Sequence, residues 1–183
     1  MATKHTLVAL VEDKPGVLNR LASLFRRRGF NIDSIAVGHS ETPGLSRVTL
    51  VVDGSTNVVE QVRKQLDKVI DIVKVSDLTE SSLVARELAI IKVSTNAVTR
   101  SSIMQIVDIF RANIVDVGFD SLTIEVTGDE DKVDSLYNLL RGYGIKELAR
   151  TGRIALGRGG SNPLPVEKEA AKPAGAPQKP QAK

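Results

Sequence analysis

The 183-residue chain has no cysteine and no tryptophan, and only two histidines, His5 and His39. Without cysteine there is no disulfide framework, no thiolate zinc site, no iron–sulfur ligation and no cysteine nucleophile. Two histidines leave too little for a histidine-rich metal centre or a Ser-His-Asp arrangement. Aromatics are scarce, with four Phe and two Tyr. There is no run of about 18 apolar residues, so no membrane span is expected. The chain runs from its first residues into a β-like segment rather than a charged and then apolar leader. A cytoplasmic protein without a secretory signal is therefore expected.

The charge that is present is unevenly placed. Arg158, Lys168, Lys172, Lys179 and Lys183, set against Glu167 and Glu169, account for the whole net charge of +3, so residues 1–156 are neutral. After Arg158 the composition turns to Gly, Pro, Ala and Lys, which cannot bury enough apolar surface to offset ordering entropy. Residues 158–183 are expected to be a disordered tail.

The body reads as strand, helix, strand, strand, helix, strand, twice over. In the first half, His5 to Val11 is a strand of buried character. Asp13-Lys14-Pro15-Gly16 is a turn that starts a helix, with Asp13 as cap. Val17, Leu18, Leu21, Leu24 and Phe25 recur at helical spacing, with Leu18 expected in the core. Arg26, Arg27 and Arg28 complement the helix dipole before Gly29 ends it. Ile32 to Gly38 and Leu45 to Val52 are two strands around a Pro-Gly turn. Val58, Val59, Val62, Leu66 and Val69 mark a second helix, and Ile70 to Val75 a last strand.

The second half repeats this order. Glu87 to Ser94 is a strand, and Ile103, Ile106, Val107 and Phe110 form a helical stripe capped near Thr99 or Ser101. Ile114 to Val117 and Leu122 to Val126 pair as strands. Asp129, Glu130 and Asp131 open a helix with core positions Val133, Leu136, Leu139 and Leu140. Ile145 to Ala149, extended through Gly152 to Leu156, closes the unit. Phe25-Arg26 before Asn31-Ile32 is echoed by Phe110-Arg111 before Asn113-Ile114. The order predicts an α+β fold of two tandem ferredoxin-like βαββαβ domains, 1–79 and 80–157, followed by the 158–183 tail.

Signatures of self-sufficient catalysis are missing. There is no Walker loop, no G-x-G-x-x-G, no H-E-x-x-H and no G-x-S-x-G. The carboxylates at Glu12-Asp13 and at Asp129 to Asp131 fall at helix starts, where capping accounts for them. RNA recognition on such a sheet needs aromatics on the central strands, and Leu45 to Val52 has none. No catalytic residue, metal ligand, nucleic-acid partner or membrane partner is expected.

One segment stands out: Glu12-Asp13-Lys14-Pro15-Gly16-Val17-Leu18. A strand end, a tight loop and a helix start fall within these seven residues. Exposed N–H groups at a helix start attract a carboxylate, and Gly16 permits close approach. Asp13 can receive an ammonium, while Val17 and Leu18 offer apolar contact. Together these complement a free amino acid. The same residues also make an ordinary strand-to-helix turn, and spacing alone does not separate the two readings. The equivalent loop in the second half, Asn96-Ala97-Val98-Thr99-Arg100, has no Pro-Gly.

The run from Leu10 to Leu18 resembles the opening motif of ACT domains, which are amino-acid-sensing modules. With Phe25-Arg26-Arg27-Arg28-Gly29-Phe30-Asn31-Ile32-Asp33-Ser34-Ile35, Leu45-Ser46-Arg47-Val48-Thr49 and Arg86-Glu87-Leu88, the chain resembles the small (regulatory) subunits of acetolactate synthase, or acetohydroxyacid synthase. Phe110 to Asp116 and Ala149 to Gly152 extend the resemblance, which covers about residues 3–158. It implies an N-terminal ACT domain, a C-terminal ACT-like domain and a non-catalytic subunit. Such a subunit activates a catalytic large subunit and confers feedback inhibition by valine or a related branched-chain amino acid. Thiamine diphosphate, Mg²⁺ and FAD would belong to the catalytic partner, with no cofactor in this chain. The effector would lie at an ACT homodimer interface, against Asp13, Lys14, Pro15, Gly16, Val17 and Leu18 of one chain and Asn31 and Ile32 of the other. Asp13 stands where relatives often have Asn; an ionised Asp favours an ammonium but cannot donate to a carboxylate. An ACT-type sensor serving a different enzyme is the alternative.

Overall fold

A computed structural model describes residues 3–160 and Leu164. The first unit contains β1 (Thr3–Glu12), α1 (Val17–Arg28), β2 (Ile32–His39), β3 (Leu45–Gly54), α2 (Thr56–Leu66) and β4 (Ile72–Asp77). The second contains β5 (Leu83–Ser94), α3 (Arg100–Ile109), β6 (Asn113–Val117), β7 (Ser121–Gly128), α4 (Glu130–Arg141), β8 (Ile145–Arg150) and β9 (Ile154–Gly157). The strand orders are β2-β3-β1-β4 and β6-β7-β5-β8, with every pairing antiparallel. Both units thus have the ferredoxin-like arrangement expected from the element order.

Period-two and period-3.6 patterns meet in each core. On β1, Leu7, Ala9 and Val11 face α1 and α2, opposite Leu50, Val48 and their neighbours on β3. Helix α1 supplies Val17, Leu21, Leu24 and Phe25, and α2 supplies Val59, Val62 and Leu66. Gly29 ends α1 in the left-handed region at φ 67°, with its N–H bonded back to the last turn. Phe30 then folds back edge-to-face on Phe25 at 6.2 Å between ring centroids. The second core repeats the scheme with Ala89, Ile91 and Val93 under Ile103, Val107, Val133, Leu136 and Leu140. Here the turn after the first helix is made by Arg111 at φ 49°, not by a glycine.

A third cluster explains why β1 is buried on both faces. Val8 and Leu10 point away from the helices and are fully covered by Leu78, Ala155 and Leu164. Ala155 arrives on β9, which pairs with the first four residues of β5 in the register Ala85↔Ala155. This β5/β9 ribbon lies over the open face of the first sheet and is pinned there by a 2.9 Å bond from the Arg47 guanidinium to the Ala155 carbonyl. Covering two large aliphatic side chains in this way contributes about 1.5–3 kcal/mol each.

Several expectations are corrected. Leu18 is half exposed and Val17 takes the core position, because α1 begins one residue after Gly16 and turns position 18 outward. Leu139 is likewise exposed at the back of α4. Asp13 does not cap α1; the N-cap is Gly16, with no side-chain cap bond. Thr99 is the N-cap of the second unit's first helix, as expected, but its side chain makes no cap bond there; Asn96 Oδ1 accepts from the N–H groups of Val98 and Thr99 just before it. The fourth strand begins at Ile72 and leaves Ile70 exposed. Strand β5 starts four residues earlier than expected, and the closing segment is two strands rather than one. Of the 158–183 tail, Leu164 is buried against the first sheet; residues 165–183 lie outside the described ones.

Candidate functional site

The loop between β1 and α1 is built on one buried carboxylate. Asp71, in the turn before β4, is fully buried beneath the loop. The Lys14 ammonium reaches it at 2.8 Å, and the Arg20 guanidinium bonds its second oxygen from the first turns of α1. Lys14 also pairs with Glu12. The backbone is fastened at the same place, with Glu12 N–H bonded to Asp71 O and Asp13 N–H to Gly44 O, each at 2.9 Å. Lys14 above all, and then Arg20, hold the Asp71 carboxyl below its ordinary range despite its burial. Asp71, and secondly Glu12, raise Lys14 above the usual lysine value. Two cations around one buried anion leave the loop little freedom to rearrange.

What this clamp presents to solvent is the start of α1. Residues 13–16 are exposed. Gly16 adopts φ 89°, a left-handed conformation that side chains disfavour, and a Cβ there would meet nothing within 4 Å. Among the described residues no side chain caps the first turn of α1, so its leading N–H groups are available to an anion from outside. Val17 is packed inward, and Leu18 stands exposed beside the opening. Asp13 points towards the end of β2, where His39 Nδ1 lies 3.2 Å from its carboxylate.

The corresponding corner of the second unit is also a hollow, lined by Thr95, Asn96, Ala97, Arg100, Phe119 and Asp120, but its polar groups are engaged. Asn96 Oδ1 accepts from the N–H groups of Val98 and Thr99 in the turn leading into α3, and Asn96 N–H donates to Thr99 Oγ1. Arg100 is spent on the carbonyls of Gly118 and Phe119. One βαβ corner is therefore open to a carboxylate and its repeat is satisfied internally.

Of the residues nominated from the sequence, Asp13 to Leu18 gather at the N-terminal end of α1. Asn31 and Ile32 lie beyond its other end. Twelve helical residues separate the two groups, about 18 Å along the axis. Asn31 is exposed and Ile32 packs on the first core. A single chain cannot bring both groups onto one small molecule. Among the described residues, strand β2, which carries the second group, pairs only with β3 and leaves its other edge open. Ile35 and Val37 are exposed along that edge on the helix side of the sheet, at 42% and 45%. An open edge lined by apolar side chains invites pairing with another strand.

Asp71 and Arg20 were not anticipated. An acid between Ile70 and Ile72 signals a polar group forced inward, but nothing local names its partners, which lie more than fifty residues away in the chain. Lys4, Glu130 and Arg153, which join the two units, were missed for the same reason.

Comparison with known proteins agrees with this architecture. Residues 7–74 match the family described as AHAS small subunit-like ACT domain. Residues 86–159 match that described as small subunit of acetolactate synthase. The probable acetolactate synthase small subunit of Archaeoglobus fulgidus is 60% identical over 156 residues, covering 85% of this chain and 98% of that protein. The acetolactate synthase small subunit of Mycolicibacterium smegmatis is 50% identical over 155 residues, covering 85% and 91%. The crystal structure of the Thermotoga maritima acetolactate synthase small subunit superposes with a TM-score of 0.80 at 44% identity, covering 87% of this chain and 99% of that one. Two matched domains in tandem, nearly full-length relatives and a shared fold place this chain in the acetolactate synthase small-subunit family.

Proposed function

We propose that this chain is the regulatory subunit of an acetolactate synthase. It binds the catalytic large subunit, raises its activity and makes it sensitive to a branched-chain amino acid, valine first. Thiamine diphosphate, Mg²⁺ and FAD belong to the catalytic chain on this reading. The protein acts in the cytoplasm.

The observation that supports a bound effector is the asymmetry of the two helix starts. The head of α1 is clamped by ion pairs and entered through Gly16 with no side chain on its first N–H groups, whereas the turn that leads into α3 has the N–H groups of Val98 and Thr99 taken by Asn96. An amino acid satisfies this corner: its carboxylate takes the free N–H groups, its ammonium faces Asp13, and its aliphatic side chain rests on Leu18. Lys14 and Pro15 shape the loop rather than touch the ligand, since the Lys14 ammonium is committed to Asp71 and Glu12. Asn31 and Ile32 come from a second copy paired along β2. An effector shared between copies favours one dimer geometry, and that differential contact is what regulation requires.

Burying a valine side chain contributes about 1.5–3 kcal/mol, and each charge-assisted hydrogen bond about 1.5–3 kcal/mol. After the cost of association, a Kd of about 10 μM to 1 mM follows, a range suited to sensing a metabolite pool. The test is thermal unfolding of the purified chain against each of the twenty amino acids, followed by assay of the catalytic subunit with and without this chain. A rise in midpoint confined to branched-chain amino acids, together with activation, supports the reading. Activation of no acetolactate synthase would leave a sensor for a different enzyme.

A further inference from the structure

Strand β2 leads directly from Asn31 and Ile32 into a set of charges that bridges the two units. Its register on β3 slips between Ile32 and Ser34, so Asp33 sits on a bulge. The Asp33 carboxylate lies 3.0 Å from the Lys4 ammonium. Lys4 in turn bonds Glu130, the first residue of α4 in the second unit. The other oxygen of Glu130 takes the Arg153 guanidinium, which also donates to Thr6 Oγ1 at 3.0 Å. Glu130 and Arg153 are each about three-quarters buried, with side-chain exposures of 25% and 22%.

The backbone follows the same path. Gly152, at φ 77° between β8 and β9, approaches β2 so closely that a Cβ would lie 3.2 Å from Ser34 Cβ and 3.5 Å from Ile35 O. The next residue, Arg153, turns its N–H towards Ser34 Oγ. These groups border a solvent-open cleft of about 510 Å³ between the units, so they are not packed on every side. A bulged edge strand, a close glycine contact and a shared carboxylate beside an open cleft can take more than one arrangement at modest cost.

We propose that Asp33, Lys4, Glu130 and Arg153, with the Gly152 contact, transmit effector occupancy from β2 of the first unit to α4 and the β8–β9 segment of the second. This rests on the effector site proposed above. A ligand seated on Asn31 and Ile32 shifts the bulge at Asp33. Lys4 and Ser34 move with it, and Glu130 and Arg153 re-pair at the head of α4. Glu130 is thus a positioning residue that touches neither effector nor substrate. Without this coupling, the same contacts would only hold the two units together.

The experiment uses the full chain assembled with its catalytic subunit and carries three readouts: valine binding to the chain by calorimetry, activation without valine, and inhibition by valine. Glu130→Gln removes the shared carboxylate, and Gly152→Ala strains the left-handed backbone at φ 77° and presses a methyl on Ser34, without altering charge. The expected result for each is valine binding within threefold of the unsubstituted chain, activation within twofold, and maximal inhibition by saturating valine cut to less than half. Lys4→Gln, at a more exposed position, serves if either variant fails to fold, with the same expectation. Inhibition with an unchanged amplitude in the folded variants overturns the transmission, and so does loss of valine binding in parallel with inhibition. If the unsubstituted assembly neither binds nor responds to valine, the effector site itself is overturned and the transmission with it, a result recorded before any variant is compared.

Discussion

The Lys14 ammonium lies 2.8 Å from the carboxylate of Asp71, a side chain with no exposure to solvent. Lysine on the loop and aspartate under it are held together across the whole first unit, and Arg20 completes the clamp. The shape of the helix start at Gly16 depends on this pairing.

Asp71→Asn keeps the shape and removes the charge. Arg20 is then left without its anion and Lys14 with Glu12 alone, and valine binding should weaken at least fivefold in calorimetry. The pH dependence has a definite sign. Because the folded-state pKa of Asp71 is depressed, its stabilisation is present above the ordinary carboxylate value of 3.8 and is lost as pH falls through the lower folded value. Lys14 mirrors this at the basic end, its contribution being lost as pH rises beyond 10.5 through the raised folded value. Unfolding midpoints of Asp71→Asn should therefore lie below those of the parent at pH 7 and converge with them as pH falls through the lowered folded value.

Gly16→Ala tests the left-handed backbone separately from packing, since a Cβ there has open space around it. The strain should lower stability by about 1 kcal/mol. Relief by a changed turn would re-aim the N–H groups, so the valine-induced rise in unfolding midpoint should disappear.

Val17 and Leu18 should exchange the roles expected from their spacing. Val17→Ala empties a core position and should cost about 1.5 kcal/mol by denaturant unfolding. Leu18→Ala, on the exposed side of α1, should change stability by less than about 0.5 kcal/mol and weaken valine binding.

A charge on the open edge of β2 should oppose pairing between copies. Val37→Lys should move the isolated chain towards monomer in light scattering and abolish its thermal response to valine. A dimer of unchanged affinity would mean that another surface joins the copies.

Leu164 should matter to stability although it lies in a segment whose composition suggests none. Leu164→Ala uncovers Val8 and Leu10 and should cost about 2 kcal/mol in thermal unfolding, with valine binding retained.

Local pattern carried much of this into view. The helical stripes, the alternating strands, Gly29 as helix terminator and the Glu12 to Leu18 motif are all short-range features, and each appears in the expected order, with ends shifted by a few residues: α2 stops at Leu66, short of Val69, and β4 starts at Ile72. Leu18 and Leu139 were misplaced because apolar spacing marks a stripe but not its rim. Asp13 was misread as a cap because a Pro-Gly turn lets the chain travel three further residues before the helix starts.

The sequence by itself determined the element order, the repeat and the family motif, because these follow from neighbours within one or two turns. Tertiary structure decided the rest. The anion that fixes the loop comes from Asp71, the cover on Val8 and Leu10 from the β5/β9 ribbon, and the bridge between units from Lys4, Glu130 and Arg153. These partners are brought together by strand order and sheet packing, which depend on long-range burial and leave no local periodicity to read.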